Sequence, residues 1–498
     1  MDVFEIRQVG RGIDTFLAEF EDCFGRCDTA AYLKVYVSGQ NSDLQRKSAE
    51  PMALQAGIPP RSLQAFLSLL EWDDERMVDR TQQIVARDHA HPWAIGLVDE
   101  TPSPKKGDHT AAVQPQWCGR TGKVDNCVVS VHTGYTAGKF HCLLDSDLFL
   151  PEKWANDWER RQRARIPDQV THRTKPQIAL AQIKRALANG VRVAAWTFDE
   201  HYGQSYEFLD GLDALGQTYV AEVPSDFCGW SHAPQVVHRM TSDLRGKPRK
   251  PRLAKTAARV SEVRHLLAGS PAFRQQAWMP IHVKEGEKGP IVREVRVIPF
   301  WMHRHGLPTR PHWLIAARDP MDHDQLKFFV SNAPAGTPLE WLVYVAYSRW
   351  PIEQCFQEDK DELGFDHFEV RNWRAIHRHM ALTQVSHLYL NKMREQLVAQ
   401  ETAQEQAGLF FPAGRRRRPP AIPRGELDSG SDSLRRVGLA EGTTSGTARP
   451  GAHLGKGFSG DLLSPCPQCR SQAVPPQENG REITSVGYRF AQNTDVRR

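Results

Sequence analysis

Three acidic residues, Asp99, Asp199 and Glu353, stand where they could do chemistry together. Asp99 follows the apolar run WAIGLV and Asp199 follows VRVAAWTF, so each reads as the end of a buried strand. Such ends are where an α/β sheet presents side chains to ligands, and carboxylates on adjacent ends point into one space. Like charges held close repel, and they persist together mainly where a cation lies between them. An all-oxygen set suits Mg²⁺ or Mn²⁺. Two such ions can activate an attacking oxygen and stabilise a leaving one in phosphodiester chemistry. Taken singly, each acid reads as well as a helix cap or a solvated residue. The surroundings of Glu353 add to the pattern. In RWPIEQCFQEDK, Arg349 and Glu353 stand at i and i+4 on one helix face, with Lys360 further along. One carboxylate for metal, flanked by two cations for phosphates, makes a sensible active face. The bare spacing is also that of a surface ion pair.

These residues need elements to hold them. Residues 1–90 read as helical, with Leu63, Phe66, Leu67 and Leu70 at helical spacing. They are expected to form a small N-terminal domain that packs before the main body or binds a DNA end. From Trp93 the pattern changes. WAIGLVDE reads as a strand ending on acids, PSPKKGDHT as a loop, and CVVSVHTGY and KFHCLLDSDLFL as two more strands. Residues 152–189 read as helix, VRVAAWTFD as a strand, SYEFLDGLDALG as a helix stopped by Gly216, and TYVAEVP as a strand. This order over residues 91–224 implies an α/β layered sheet. Residues 225–336 read as an inserted, partly β segment containing VREVRVIPFW and HWLIAAR. Residues 337–404 return to helix and carry Glu353.

The 498 residues allow about three domains. Hydrophobic residues at 40% and charged ones at 25% exclude a collagen-like, wholly disordered or disulfide-dense chain. No apolar run approaches the roughly 18 residues of a membrane helix, and the opening MDVFEIRQVGRG has acids where a signal peptide is basic. A cytoplasmic protein with reduced thiols is expected, and its nine cysteines are an odd count. Neither Cys466 with Cys469 nor Cys23 with Cys27 has the partners of a metal site, so free thiols are the favoured reading. Residues 405–498 hold 14 Lys+Arg against 9 Asp+Glu, which is the whole net charge of +5. Gly and Pro fill 20 of the 70 residues from Phe411 to Gly480, so this tail is expected to be disordered. Two basic runs read either as DNA stripes or as solvated faces. One is Arg160, Arg161, Arg163 and Arg165, continuing to Arg173 and Lys175. The other is Arg245, Lys247, Arg249, Lys250, Arg252 and Lys255.

The stretches VDETPSPKKG, QWCGRTGKVDNC, DLFLPEKWANDWERR, RTKPQIAL, FDEHYG and RWPIEQCFQEDKDELGFDHFEVRNWRAIHRHMAL occur in an order and spacing that resemble a known family. It is that of the DDE transposases of bacterial insertion sequences, in the IS4 superfamily and closest to the IS701-like group. The resemblance covers about residues 15–395. It implies a ribonuclease-H-like core, an insertion between the second Asp and the Glu, and the triad Asp99, Asp199 and Glu353 holding two Mg²⁺ ions, with Mn²⁺ able to substitute. The last motif of the superfamily reads Tyr, two residues, Arg, three residues, Glu, six residues, Lys. Arg349, Glu353 and Lys360 match it, but position 346 is Ala and the nearest Tyr is Tyr347. Arg349, Lys360, Lys105 and Lys106 are the expected phosphate contacts. Trp301 in the insertion could stack on a flipped base or simply pack in its subdomain. The implied activity is cut-and-paste transposition at terminal inverted repeats, by a homodimer on double-stranded DNA, with a hairpin intermediate as one route. A catalytically inactive DNA-binding relic or a repressor is the alternative from another class. A simple nuclease is a third.

Overall fold

The computed structural model describes residues 12–119, 121–237, 251–286 and 289–409. The tail beyond residue 409, Cys466 and Cys469, and the basic residues Arg245, Lys247, Arg249 and Lys250 lie outside the described residues.

The described chain from residue 12 to residue 90 is mostly helical. It contains α1 (Cys27–Gln40), α2 (Ala49–Gln55), α3 (Pro60–Ser68) and α4 (Asp74–Asp88). Leu63, Phe66 and Leu67 are buried along α3, and the helix stops before Leu70. Asp73 caps α4 by accepting from the Arg76 N–H at 2.9 Å. Cys23 ends a 3₁₀ turn and Cys27 begins α1.

Next come β1 (Ile95–Pro104), β2 (Gln114–Cys118), β3 (Lys123–Ala137) and β4 (Phe140–Leu148). The expected 152–189 helix is broken. Short turns at Glu152–Ala155 and Trp158–Arg163 precede α5 (Lys175–Ala188). Arg165 takes a left-handed φ of 52° at the break, and Pro167 follows it. Thr174 and Gln177 close a capping box at the start of α5. Then β5 (Ala195–Phe198), α6 (Tyr206–Ala214) and β6 (Tyr219–Val223) complete this part.

The strands run in the order β4-β3-β1-β5-β6, with β1 antiparallel to β3 but parallel to β5, and β5 parallel to β6. The core is mixed α/β, consistent with a ribonuclease-H-like fold. Two readings change. Asp99 does not end its strand, because β1 runs on to Pro104 through pairing with β3, so the expected loop begins later. What ends near Asp99 is the pairing with β5, whose last rung is Val98 to Phe198. The short strand β2 had no apolar run to announce it.

The described residues between 225 and 336 largely extend the same sheet. They form β7 (Cys228–Trp230), β8 (Val236–Val237), β9 (Arg252–Leu253), β10 (Ser261–Glu262), β11 (Met279–Gly286), β12 (Gly289–Arg304), β13 (Leu307–Arg318) and β14 (Leu326–Ser331). All but the β8–β9 pair join the sheet, and β14 docks antiparallel on β6. Three helices follow: α7 (Leu339–Ala346), α8 (Trp350–Asp361) and α9 (Trp373–Leu409). Among the described residues no helix is long and apolar enough to cross a membrane.

Through its buried stretch, residues 378–389, α9 ties the helical segment to the sheet. Its Gln384 donates to Ser146 Oγ on β4 at 2.7 Å, and its His379 meets the Tyr36 hydroxyl of α1 at 2.8 Å. His379 Nε2–H donates to the Phe365 carbonyl at 2.8 Å, which leaves Nδ1 to accept from Tyr36. Burial pushes this imidazole down to about 4. The Phe365 carbonyl and Asp366 oppose the shift, while Lys105 and His367 add to it. A histidine kept neutral by folding contributes stability that is full above its unfolded value and is lost as pH falls. Between about pH 6.5 and pH 4 this group alone should remove about 3 kcal/mol. Denaturant unfolding across that window should therefore show a steeper loss in the wild type than in His379→Gln. Equal slopes would refute the assignment.

Candidate active site

Sequence spacing and sheet register together put Asp99 beside Asp199. Val98 and Phe198 are partners across the parallel β1–β5 ladder, so the next residue of each chain segment is one of the two acids. Neighbouring strands lie about 4.8 Å apart, which holds both carboxyls in one place. Asp199 also caps the turn Glu200–Gly203, accepting from the His201 N–H at 3.1 Å and the Tyr202 N–H at 3.4 Å. Both bonds use Oδ1, so the cap and a ligand role for Oδ2 are compatible. Gly203 lets this turn lie against β6, since a Cβ there would come within 1.8 Å of the Glu222 carbonyl oxygen.

Glu353 arrives from α8, in its first turn. Pro351 stands in that turn, where its missing N–H costs nothing. Arg349, the N-cap residue of α8, joins the acids. One guanidinium nitrogen donates to Asp99 Oδ2, and another lies 2.8 Å from Glu353 Oε1. Lys360, at the far end of α8, donates to Thr101 Oγ1 on β1. The helix thus lies across β1, with Arg349 on Asp99 itself and Lys360 two residues further along the strand at Thr101.

The electrostatics are those of crowded buried acids. Burial pushes the Asp99 carboxyl up to about 7, opposed by Arg349 and reinforced by Asp199. Asp199 is raised by burial and by Glu100. Two adjacent acids whose charges are disfavoured, with oxygen donors only, fit a hard divalent cation. Arg349 supplies the countercharge here. Among the described residues, Asp99, Asp199 and Glu353 are not a group with all ligand oxygens within 4.8 Å of one another. The Arg349 guanidinium stands between Asp99 and Glu353, so drawing the acids together requires it to swing out.

The neighbouring acids have other tasks. Glu100 Oε1 holds Lys175 of α5 at 2.6 Å, and its Oε2 accepts from the Tyr202 hydroxyl at 2.6 Å. Glu200 follows Asp199 at the start of the capped turn. His377 is bonded to Asp147 at 2.9 Å and to the Trp373 carbonyl, and His201 is exposed. The other expected contacts are dispersed. Lys105 turns inward, donating to the Asp366 and Phe368 carbonyls at 2.9 Å and lying 3.4 Å over the Phe368 ring. Lys106 is exposed. Trp301 is half-buried on β12, opposite Pro311 and Trp230. Tyr347 packs on Phe329 with Arg293 above its ring. The first basic run is partly structural. Arg161 is buried and donates to the Val170 and Pro167 carbonyls, while Arg160 lies 3.9 Å over Trp154. Sequence reasoning missed Trp350, a large side chain 57% exposed beside Arg349, whose only signal was that adjacency.

A family model described as DDE superfamily endonuclease matches residues 19–290. That span contains Asp99 and Asp199 and stops short of Glu353, so Glu353 stands on the geometry of α8 and Arg349. The chain is also 24% identical over 368 residues to a probable transposase for insertion sequence element IS701 from Microchaete diplosiphon. The similarity covers 73% of this chain and 83% of that protein.

Proposed function

Because the chain belongs to the DDE superfamily of endonucleases, we propose that it excises and inserts its own insertion sequence by cut-and-paste transposition. Transposase function itself is supported by the family match and the IS701 relative. The finer reading is supported by Asp99 and Glu353 sharing Arg349 while Asp199 follows the strand end next to Asp99. Enzymes of this superfamily use divalent metal ions. Asp99, Asp199 and Glu353 would hold two Mg²⁺, or Mn²⁺ in their place. When bound, such ions supply Lewis-acid stabilisation and an activated oxygen nucleophile.

The chain's own residues do the rest. Arg349 exchanges its carboxylate partners for the phosphate to be cut, and so both frees the acids and orients the substrate. Lys360 holds α8 on β1 through Thr101 and faces the neighbouring phosphate. Glu100 fixes the Tyr202 turn that carries Asp199. Lys106 contacts DNA backbone, Trp301 meets a base near the cut, and Lys105 positions the 366–368 loop. The helical segment up to residue 90 binds the transposon ends, residues 225–336 widen the DNA-facing sheet, and two copies bridge two ends. Purified protein, DNA carrying the element's own terminal inverted repeats, a target plasmid and Mg²⁺ make the test. Cleaved ends joined to target support the proposal. Binding without nicking would instead identify a repressor, and cleavage without joining a simple nuclease.

Arg349→Ala should lower the cleavage rate by on the order of 10²-fold, the usual cost of losing one charge-stabilising donor. It should not weaken Mn²⁺ binding, because the guanidinium competes with metal for Asp99 and Glu353. Calorimetric Mn²⁺ titration of variant and wild type, beside rates on cut-site DNA, checks both halves. Weaker metal binding in the variant would contradict the exchange.

A further inference from the structure

On the opposite side of α8 from Glu353 lies a second set of ligating groups that the proposed chemistry does not use. Two residues along a helix turn the side chain by about 200°, so Cys355 faces inward where Glu353 faces out. Cys355 is fully buried. His141 of β4 and His387 of α9 meet it there, and the ligand atoms of the three lie within 4.8 Å of one another. Glu358, one turn along α8, lies outside that mutual 4.8 Å group but points its Oε2 at both rings. That oxygen is 3.4 Å from His141 Nε2 and 3.7 Å from His387 Nε2. A tetrahedral centre with bonds of about 2.0–2.3 Å separates its ligand atoms by about 3.3–3.8 Å.

Two details distinguish this cluster from an ordinary buried polar contact. His387 Nδ1 donates to Asp359 Oδ1 at 2.6 Å, so the neutral ring carries its lone pair on Nε2. That Nε2 is buried and has no hydrogen-bond partner. A buried, unpartnered imidazole nitrogen aimed at a thiol, a second imidazole and a carboxylate is an unmet cost unless something accepts its lone pair. Glu358 is further held by Gln354 on Oε1 at 3.1 Å and by Arg394 on Oε2 at 2.7 Å.

We propose that His141, Cys355, His387 and Glu358 form a structural zinc site that clamps β4, α8 and α9 together beneath the candidate active site. Mixed imidazole, thiolate and carboxylate donors select Zn²⁺ and not Mg²⁺, which takes oxygen ligands. On binding, the Cys355 thiol gives its proton to solvent and the thiolate bonds the metal. The two charges of Zn²⁺ are then matched by Cys355 and Glu358, while Asp359 holds the His387 Nδ1–H and Arg394 stays bonded to Glu358. The site fixes the inner face of the helix whose outer face carries Glu353. It does not depend on the proposed reaction, and it stands or falls by its own measurement.

Full-length protein purified without chelators and washed with excess Mg²⁺ should retain about one zinc per chain. X-ray absorption at the zinc edge should show one sulfur and two imidazoles. Reconstitution of the metal-free protein with Co²⁺ should give tetrahedral ligand-field bands and a thiolate charge-transfer band. Cys355→Ser should lose the charge-transfer band and His387→Gln most of the metal, while Glu353→Gln should keep both signals. Wild-type protein that takes up only traces of zinc, a zinc centre without sulfur, or a charge-transfer band that survives in Cys355→Ser would overturn the site. The absorption measurement needs no variant, so a misfolded Cys355→Ser does not spare the proposal.

Discussion

Asp99→Asn is expected to reduce cleavage of transposon-end DNA by on the order of 10³-fold or more, about 4 kcal/mol in the barrier. The amide keeps the shape of the carboxyl and can still accept from Arg349, so the fold should be retained. What it removes is the charge that, with Asp199 at the end of the neighbouring strand, would bind the cation. Because the buried acid already sits where its charge is disfavoured, substitution should change global stability by no more than about 1 kcal/mol. End binding should also survive, since DNA affinity rests mainly on phosphate contacts elsewhere on the surface. The decisive measurement is paired: gel-shift affinity and thermal midpoint beside the cleavage rate. Glu353→Gln and Asp199→Asn should give the same pattern. A variant that cleaved at near wild-type rate would remove that residue from the ligand set. One that failed to bind DNA at all would point to a structural role.

Parts of this geometry were legible because they are local. The apolar runs before Asp99 and Asp199 have strand character, and in a parallel pair their ends fall at one level. The i, i+4 step from Arg349 to Glu353 survives as a real ion pair. What local pattern could not give was the second bond of Arg349, to an acid 250 positions earlier. Nor could it show that β14 pairs with β6, since such pairing is set by the shape of the whole sheet. Asp99 looked like a strand end because the sequence turns polar there, yet β1 continues along β3 to Pro104. Lys105 looked like a phosphate contact because lysine in a polar loop usually faces solvent. Its carbonyl partners at Asp366 and Phe368 lie 261 and 263 positions later in the chain. His141, Cys355 and His387 show no ligand spacing, as each comes from a different element.

Arg378→Met should cost about 3–5 kcal/mol of stability, the usual penalty for breaking a buried charged network. Arg378 is 1% exposed, an extreme burial for a guanidinium. It reaches from α9 into the end of α3, where helix carbonyls lack their own donors. Its nitrogens donate to the Leu70 and Trp72 carbonyls at 2.7 Å and to the Phe66 and Leu67 carbonyls at 3.2 and 3.3 Å. Asp74 at 3.2 Å supplies countercharge, and the Trp72 ring lies 4.4 Å beneath. Methionine fills much of the volume but offers no donor, so several buried acceptors lose their partner at once. Lysine restores the charge without the planar fork and should recover less than half of the loss. The damage should be regional. Amide exchange should rise across residues 60–88 while the β1 and β5 amides stay protected, because the sheet does not depend on this contact. If the two regions instead loosened together, α9 would be holding the sheet itself. The helical segment would then be part of the catalytic core and not a part docked upon it.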